Sequence, residues 1–259
     1  MSHKSYVRGS TQVALTDLTI GDYFDEIVKK HADTNALVSR AESIRWTWQQ
    51  LHEQVHSAAA GLLALGLQPG DRLAIWAQNC SAWLVTQLAC AKTGIILVNI
   101  NPSARSAELA DQLNAVQAKG LIFQAQFKSS HYTQMLQELL PEVHSATAGQ
   151  LQAAAIPSLR HLIQIDDNAP AGMLDWQTVL NQGKQLPADA VAKAQAQTQA
   201  DQAYNIQFSS ASGTQTAPVT LSHKNVLNNG YFIGVQLQLS AQDRVCIPVP
   251  LFHCFGMGM

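Results

Sequence analysis

Short apolar runs that alternate with helix-like segments limit most strongly how this chain of 259 residues can fold. Runs of this kind are typical of buried strands, and strands separated by helices indicate βαβ units. The sequence therefore predicts an α/β fold with a mostly parallel sheet and helices on both of its faces. The apolar runs lie at 72–77, 95–100, 120–123 and 159–165, and the helices between and before them at 48–65, 79–93, 105–118 and 131–139.

Composition fits a folded protein with a large core. Apolar residues make up 47% of the chain and charged residues 13%, which is too apolar for a disordered chain. The net charge of −2 gives no support for a nucleic-acid partner or an anionic membrane surface. The N-terminus has no continuous apolar segment of a signal peptide, and no run is long enough for a transmembrane helix. We expect a cytoplasmic protein.

The chain has four cysteines, Cys80, Cys90, Cys246 and Cys254, and none of them forms a CxxC pair. Without metal-like spacing, we expect no metal site and no disulfide. The four are expected to be reduced thiols that mostly pack as small apolar residues.

A segment rich in Ala and Gln, 189–203, predicts a division of the chain into three parts. A first βα subdomain covers 1–188, the segment 189–203 is a connector, and 204–259 forms a third part. The chain stops within the apolar run LFHCFGMGM at 251–259. Domains seldom end in this way, so we expect a natural continuation that is missing here.

A polar stretch, FSSASGTQTAPVTLSH at 208–223, lies between a strand-like run at 204–208 and a helix at 222–239. Loops of small residues in that position often bind phosphate, but this one contains a single glycine, Gly213, and no basic residue before Lys224. The alternative is a connector rich in Ser and Thr with no ligand. At the start of the helix, Ser222 or Asn225 is a candidate cap, and His223 is expected to cap or pack rather than catalyse. A further strand is predicted at 245–250, near a sheet edge because of its two prolines.

The stretch Tyr204–Asn225 followed by PVPLFHCFG at 248–256 resembles the adenylate-forming superfamily of acyl-CoA synthetases, luciferases and peptide-synthetase adenylation domains, and further segments support the resemblance. The resemblance is greatest to the N-terminal part of medium-chain fatty-acyl-CoA synthetases. The set of segments is specific, although no single one of them is. They are SYVRGS (5–10), TIGDYFDEIVKKHADTNALV (19–38), SIRWTW (43–48), AAGLLALGLQPGDRLAIWAQN (59–79), AKTGIILVNINP (91–102), LSHKNVLNNGYFIG (221–234) and PVPLFHCFG (248–256).

The resemblance implies an N-terminal domain of the acyl-CoA synthetase-like fold, with layered βα subdomains and mostly parallel sheets. It also implies a ligase that uses ATP and Mg²⁺ to convert a carboxylic acid, here a fatty acid, into an acyl-adenylate. Coenzyme A then displaces AMP to give a thioester. Charge stabilisation dominates such chemistry, because the site must hold the phosphates while pyrophosphate leaves.

The family's phosphate loop has the pattern Thr-Ser-Gly-Thr-Thr-Gly-x-Pro-Lys-Gly, and this chain departs from it. An ungapped placement puts Ala217 on the lysine position, and a placement shifted by two residues puts Val219 there. Neither placement supplies a lysine or the second glycine. The resemblance still assigns nucleotide contacts to Ser209, Ser210, Ser212, Gly213 and Thr214.

Loss of a well-placed cation commonly costs about a hundredfold in rate at a site that handles phosphoryl groups. The family's adenine, ribose, magnesium and C-terminal lysine motifs are also missing from this sequence, and no residue is assigned a catalytic role. We therefore expect that the chain alone is not a competent ligase and that the missing C-terminal part is its partner. The alternatives are a catalytically dead nucleotide-binding or interaction module, and a non-functional truncated product.

The segment around His253 resembles the family's acid pocket. The resemblance assigns Phe252, His253, Phe255 and Gly256 to that pocket, with the histidine close to the carboxylate. The alternative is that His253 is a core histidine packed between the two phenylalanines.

Overall fold

The structure, a computed structural model, describes residues 12–209 and 217–258. The strands are β1 (Asn35–Ser39), β2 (Ile44–Thr47), β3 (Arg72–Trp76), β4 (Ile96–Asn99), β5 (Gly120–Phe123), β6 (Gln126–Phe127), β7 (Ser130–His131), β8 (His161–Gln164), β9 (Leu174–Asp175), β10 (Ala203–Phe208) and β11 (Pro218–Ser222). The α-helices are α1 (Ile20–His31), α2 (Trp48–Ala64), α3 (Ser81–Thr93), α4 (Ser106–Ala115), α5 (Tyr132–Leu139), α6 (Trp176–Gln182), α7 (Ala190–Ala196), α8 (His223–Gln236) and α9 (Cys254–Met257).

The central sheet has seven strands in the order β11-β10-β4-β3-β5-β8-β9. Every neighbouring pair is parallel except β10 and β11, which are antiparallel. The predicted α/β class with a mostly parallel sheet is therefore confirmed. Because the strands from β10 to β9 run the same way, their carboxyl ends meet along one side, which we call the carboxyl edge.

Side chains of each central strand alternate between two apolar cores. In β3, Leu73 and Ile75 belong to a core that is shared with α1, α2, α3, α6 and α7. Ala74 and Trp76 belong to a second core on the other face, shared with α4 and α5. This period of two explains why the strand reads as continuously apolar: both of its faces are covered.

Capping residues set where two long helices begin. Thr47 caps α2 in a capping box with Gln50, and Ser222 caps α8 in a capping box with Asn225. Both candidates for the start of α8 are therefore confirmed as cap residues, and they act together. His223 is buried, which confirms the prediction that it packs.

The strand predicted at 245–250 is wrong. The segment follows an irregular path, since Pro248 and Pro250 have no N–H to donate to a ladder. The prediction for the cysteines is also wrong in part: Cys90 is buried, but Cys246 and Cys254 are exposed. Burial raises the pKa of the Cys80 thiol to about 12.

The sheet runs across the predicted domain division. β10 pairs with β4, and α7 buries Val191 in the first core. The division at 188 and 203 stays a prediction. Among the helices in the described ranges, none combines the length and the apolar character needed to cross a bilayer.

Candidate functional site

The carboxyl edge of the sheet brings polar side chains together beside the segment that contains His253. Asn79 follows β3, Asn99 ends β4, and Gln207 lies near the end of β10. In open α/β sheets, ligands bind outside the carboxyl ends of the strands. This edge is therefore the candidate site.

The backbone at 249–252 is attached to this edge by two amides. Asn79 Nδ2 donates to the carbonyl of Val249 at 2.8 Å, and the N–H of Leu251 donates to Asn79 Oδ1 at 2.8 Å. Asn99 Nδ2 donates to the carbonyls of Leu251 and Phe252 at 3.3 and 3.4 Å. The irregular segment thus receives from side chains the hydrogen bonds that a strand would receive from a neighbour.

His253 follows directly and is exposed. Its Nδ1 accepts a hydrogen bond from the backbone N–H of Phe255 at 3.2 Å, so His253 caps α9. In neutral imidazole, an accepting Nδ1 leaves the proton on Nε2. His253 therefore presents an Nε2–H donor that is suited to a carboxylate or a phosphate oxygen.

Gly256 is required by the tight turn that orients this histidine. A Cβ at this position would lie 2.2 Å from the carbonyl oxygen of Pro250, closer than any real contact. The turn is closed by the N–H of His253, which donates to that same carbonyl at 3.1 Å. Glycine therefore serves here for close packing of backbone on backbone.

The hydroxyl-rich loop leaves the sheet next to α9. Gln207 Nε2 lies 3.3 Å from Met257 Sδ, and Ser209 follows two residues later. Ser209 is exposed, and its N–H donates to the carbonyl of Ala217 at 3.1 Å, which closes the base of the loop. The other residues assigned to the nucleotide, Ser210, Ser212, Gly213 and Thr214, lie outside the described residues.

The two phenylalanines of the predicted pocket lie apart. Phe252 is partly buried and packs against the first core. Phe255 is 53% exposed and lines an open apolar groove of about 450 Å³ beside α8. The remaining lining residues are Asn229, Phe232, Ile233, Gln236 and Leu237. His253 is exposed, so the alternative of a core histidine next to the phenylalanines is wrong, and its assignment to an acid pocket stays a prediction.

The described residues supply only part of what a bound nucleotide with Mg²⁺ requires. His253 is exposed at this edge of the sheet and can donate to an anionic oxygen, whereas the N–H and the hydroxyl of Ser209 are both directed to the carbonyl of Ala217, at 3.1 and 3.5 Å. Within residues 12–209 and 217–258, no three His, Cys, Asp or Glu side chains are grouped so that they could hold a metal ion. The structure therefore assigns no ligand to Mg²⁺.

Sequence reasoning missed Asn79 and Asn99 as parts of the site. A usable signal was present, because each follows or ends an apolar strand, where side chains reach the carboxyl edge. Their partners could not be predicted, since the bonds cross more than 150 residues of chain and depend on the path of 249–252.

A charged cluster lies away from this edge, between α1, α2, α3 and α7. Lys92 Nζ lies 2.6 Å from both carboxylate oxygens of Asp25, and Gln195 Nε2 donates to the same carboxylate at 2.9 Å. His52 Nε2 lies 3.4 Å from it. Burial alone would raise the pKa of Asp25, but the hydrogen bonds from His52, Lys92 and Gln195 outweigh burial and hold that pKa well below its usual range. The cluster is internally paired and joins four helices.

Comparison with known proteins agrees with this architecture. The chain is 38% identical over 256 residues to the medium-chain acyl-CoA ligase ACSF2 of Bos taurus, named as mitochondrial, and covers 42% of that protein's length. The match includes 97% of the present chain. The chain thus spans about two fifths of the length of the curated relatives it matches.

Solved structures show the same fold. The anthranilate CoA ligase AuaEII, in complex with anthranoyl-AMP, superposes with a TM-score of 0.77 at 20% identity, over 96% of this chain and 43% of that one. A long-chain-fatty-acid-CoA ligase (FadD1) from Archaeoglobus fulgidus gives a TM-score of 0.72 at 17% identity, over 98% and 47% of the two chains. The family model described as "AMP-binding enzyme" matches residues 24–259. The chain belongs to the AMP-binding enzyme family, as the resemblance of its segments predicted.

Proposed function

We propose that this chain forms the part of an AMP-forming acyl-CoA ligase that contacts the acid and the phosphates. The proposed substrates are a fatty acid, ATP with Mg²⁺, and coenzyme A. The observation that carries the proposal is the exposed ring of His253, whose Nδ1 accepts from Phe255, on the segment that Asn79 and Asn99 hold at the carboxyl edge. Membership of the family supplies the reaction class.

The chemistry asked of these residues is to bind and orient anions. ATP, when bound, supplies the α-phosphorus that the carboxylate attacks. His253 donates to the carboxylate and so fixes the direction of its oxygens, while the hydroxyls of the loop donate to phosphate oxygens.

A polypeptide partner is part of the proposal. The chain spans 42% of the bovine relative, and the groove formed by α8 and Phe255 is apolar and open. We propose that this groove is covered by the section of a full-length relative that these 259 residues do not match. The complete ligase activity would then need both parts.

The missing lysine makes this chain a poor catalyst by itself. No cation stands at either of the two candidate positions, Ala217 or Val219, so charge that develops on pyrophosphate lacks its usual counterion. We propose that the phosphate loop is degraded and that the chain alone binds nucleotide weakly and turns over negligibly. The cytoplasmic location predicted from the sequence remains part of this proposal.

Introducing a lysine at either candidate position tests the proposal that the phosphate loop is degraded. Val219 lies opposite Gln207 in the β10–β11 pair, and residues 217 and 219 share one face of the strand. That face carries Gln207, which contacts Met257 near His253. Thr220 lies opposite Ile206, on the other face, and is also exposed. Thr220→Lys is therefore a control with the same change in charge.

We expect Ala217→Lys or Val219→Lys to tighten the dissociation constant for MgATP by about tenfold, equivalent to about 1.4 kcal/mol, as measured by calorimetric titration. Thr220→Lys should leave the dissociation constant within about twofold, because residue 220 lies on the opposite face of β11 from residue 219. Equal tightening in all three variants would show a general charge effect and contradict a phosphate-specific role.

A second candidate is a catalytically dead module that binds a nucleotide or a protein. The absence of a lysine in both placements favours it. Saturable, Mg²⁺-dependent ATP binding by the unaltered chain would exclude a module that only contacts another protein.

A further inference from the structure

Three asparagine amides connect the sheet to the backbone before His253: Asn205 through Asn99, and Asn79 independently. Asn205 Nδ2 donates to Asn99 Oδ1 at 3.0 Å and to the carbonyl of Leu97 at 3.1 Å. Asn99, with its oxygen engaged in this way, turns its Nδ2 outward to the segment at 249–252. Asn79 contacts the same segment from beyond the end of the neighbouring strand. We call Asn79, Asn99 and Asn205 the asparagine clip.

The hydrogen bonds of Asn205 Nδ2 set the orientation of the inner two amides, while Asn205 Oδ1 is buried without a partner among the described residues. Asn205 is fully buried and Asn99 is 2% exposed, so each amide must satisfy its donors within the protein. Because Asn205 gives its N–H groups to Asn99 Oδ1 and to a carbonyl of β4, Asn99 has no freedom to flip. The sheet thereby fixes the direction of a donor at its carboxyl edge.

Asn79 acts differently, because it is exposed and makes two bonds to one segment. Its Nδ2 donates to the carbonyl of Val249 and its Oδ1 accepts from the N–H of Leu251, so it pairs with this backbone as a neighbouring strand would. The flanking residues Pro248 and Pro250 cannot donate from their own nitrogens. Without Asn79, the segment would keep only the weaker bonds from Asn99.

We propose that Asn79 and Asn99 are positioning residues that hold the Nε2–H of His253 toward the acid. They act through the backbone: the clip fixes residues 249–252, the turn at Pro250 receives the N–H of His253, and Nδ1 receives the N–H of Phe255. This inference rests on the proposed function of His253, which it extends to the residues that set its orientation.

A matched control exists elsewhere in the fold. Asn114 Nδ2 donates to the carbonyl of Ala155 at 2.9 Å, an exposed bond between two segments 41 residues apart. It lies near the end of α4, and its amide contacts Ala155, which belongs neither to the clip nor to 249–253. Asn114→Ala removes the same kind of tether without touching 249–253.

The test uses the full chain with ¹⁵N-labelled histidine. Long-range ¹H–¹⁵N spectra report which ring nitrogen carries the proton, and His253→Asn assigns the signal. The variants are Asn79→Ala, Asn79→Asp and Asn114→Ala. Asn79 is chosen because it is exposed, whereas an alteration of the buried Asn99 could unfold the chain. Asn79→Asp keeps the acceptor for Leu251 and loses the donor to Val249.

In the unaltered chain we expect the single Nε2–H tautomer at His253. Asn79→Ala should convert it to a mixture of tautomers, Asn79→Asp should give an intermediate result, and Asn114→Ala should leave it unchanged. An unchanged tautomer in Asn79→Ala, or an equal change in Asn114→Ala, would overturn the proposal.

Titration of octanoate separates this inference from the proposed function. We expect Asn79→Ala to weaken octanoate binding by about tenfold, and to have no further effect when His253 is already alanine. If Asn79→Ala weakened octanoate binding just as much in the His253→Ala background, Asn79 would not act through the histidine, and the proposal would be overturned. If octanoate binds to no variant, the proposed function fails, and the tautomer result still decides whether the clip orients His253.

Discussion

At the scale of single residues, the site depends on positions where packing or hydrogen bonding permits only one side chain or one orientation. Gly256 has no room for a Cβ, and His253 has only one nitrogen left to donate. His223, thirty positions earlier, shows the opposite case: its ring is buried 4.9 Å from the ring of Tyr204 and serves packing. His223 lies at the amino end of β10, opposite the carboxyl edge, so the two histidines differ in role because one is exposed at the site and the other is buried away from it.

The first prediction concerns Gly256. Gly256→Ala should lower the free energy of unfolding by about 1–3 kcal/mol, because the new methyl group meets the carbonyl of Pro250 and the turn must shift. Gly234→Ala is the control: no atom would lie within 4 Å of its Cβ, and in the interior of α8 alanine should stabilise by about 0.5–1 kcal/mol. Urea unfolding of both variants checks this, and equal effects would contradict the turn's role.

The second prediction concerns pH. Burial lowers the pKa of His223 to about 4, while Asp22 acts in the opposite direction. In the unfolded chain the pKa is about 6.5, so the unfolded state binds the proton first as pH falls. The free energy of unfolding should therefore drop between about pH 6.5 and pH 4, by about 3 kcal/mol from this residue.

His223→Asn isolates that contribution, since the amide oxygen can still accept from the N–H of Ile20, which lies 3.3 Å from Nδ1. Urea unfolding at several pH values should show a shallower acid slope for this variant. Other groups titrate equally in both proteins and cancel. Identical slopes would show that His223 is not the residue responsible.

At the scale of elements, the sequence predicted the central strands and the long helices because their periodicity is strong. β3, β4, β5 and β8 all fall within the predicted apolar runs, and Ser222 and Asn225 were recognisable as a cap. The prediction failed at 245–250, where apolar residues alternate with prolines and the deciding hydrogen bonds come from Asn79 and Asn99. Hydrogen bonds to residues so distant in sequence leave no local pattern at 245–250 from which they could be predicted.

The third prediction concerns the cluster that joins α1 and α3. Asp25→Ala should cost about 3–5 kcal/mol of unfolding free energy, because the ammonium of Lys92, 5% exposed, would lose the carboxylate that compensates it. Asp189→Ala removes an exposed i,i+4 partner of Lys193 and should cost less than about 1 kcal/mol. Thermal and urea unfolding compare the two. Similar losses of unfolding free energy in the two variants would mean that the Asp25–Lys92 pair does not stabilise the packing of α1 on α3.

At the scale of the whole molecule, packing is uneven between the central sheet and the last forty residues. The two cores include side chains with almost no exposure, such as Trp76 and Trp83. From 219 onward, large apolar side chains are exposed, among them Val235, Leu237 and Phe255. Composition predicted a sizeable core, but it could not show that these apolar side chains stay uncovered, since amphipathic patterns do not identify what a helix packs against.

The fourth prediction follows from the open groove beside α8. The chain should self-associate in solution through this groove, and Leu237→Lys, at a residue that lines it, should shift the chain toward monomer in sedimentation velocity. Val38→Lys makes the same change in charge at a site of similar exposure, 45% against 56%, on the β1–β2 hairpin, and should leave association unchanged. An equal shift in both would indicate a net-charge effect instead of an apolar interface.

The central claim is that His253 contacts the carboxylate of a fatty acid at the carboxyl edge. The most direct measurement is titration of octanoate into the ¹⁵N-histidine-labelled chain while the His253 Nε2 signal is followed, with octanol as a ligand of equal length that lacks the carboxylate. We predict a saturable shift with octanoate and none with octanol. No shift at saturating octanoate, or the same shift with octanol, would contradict the account.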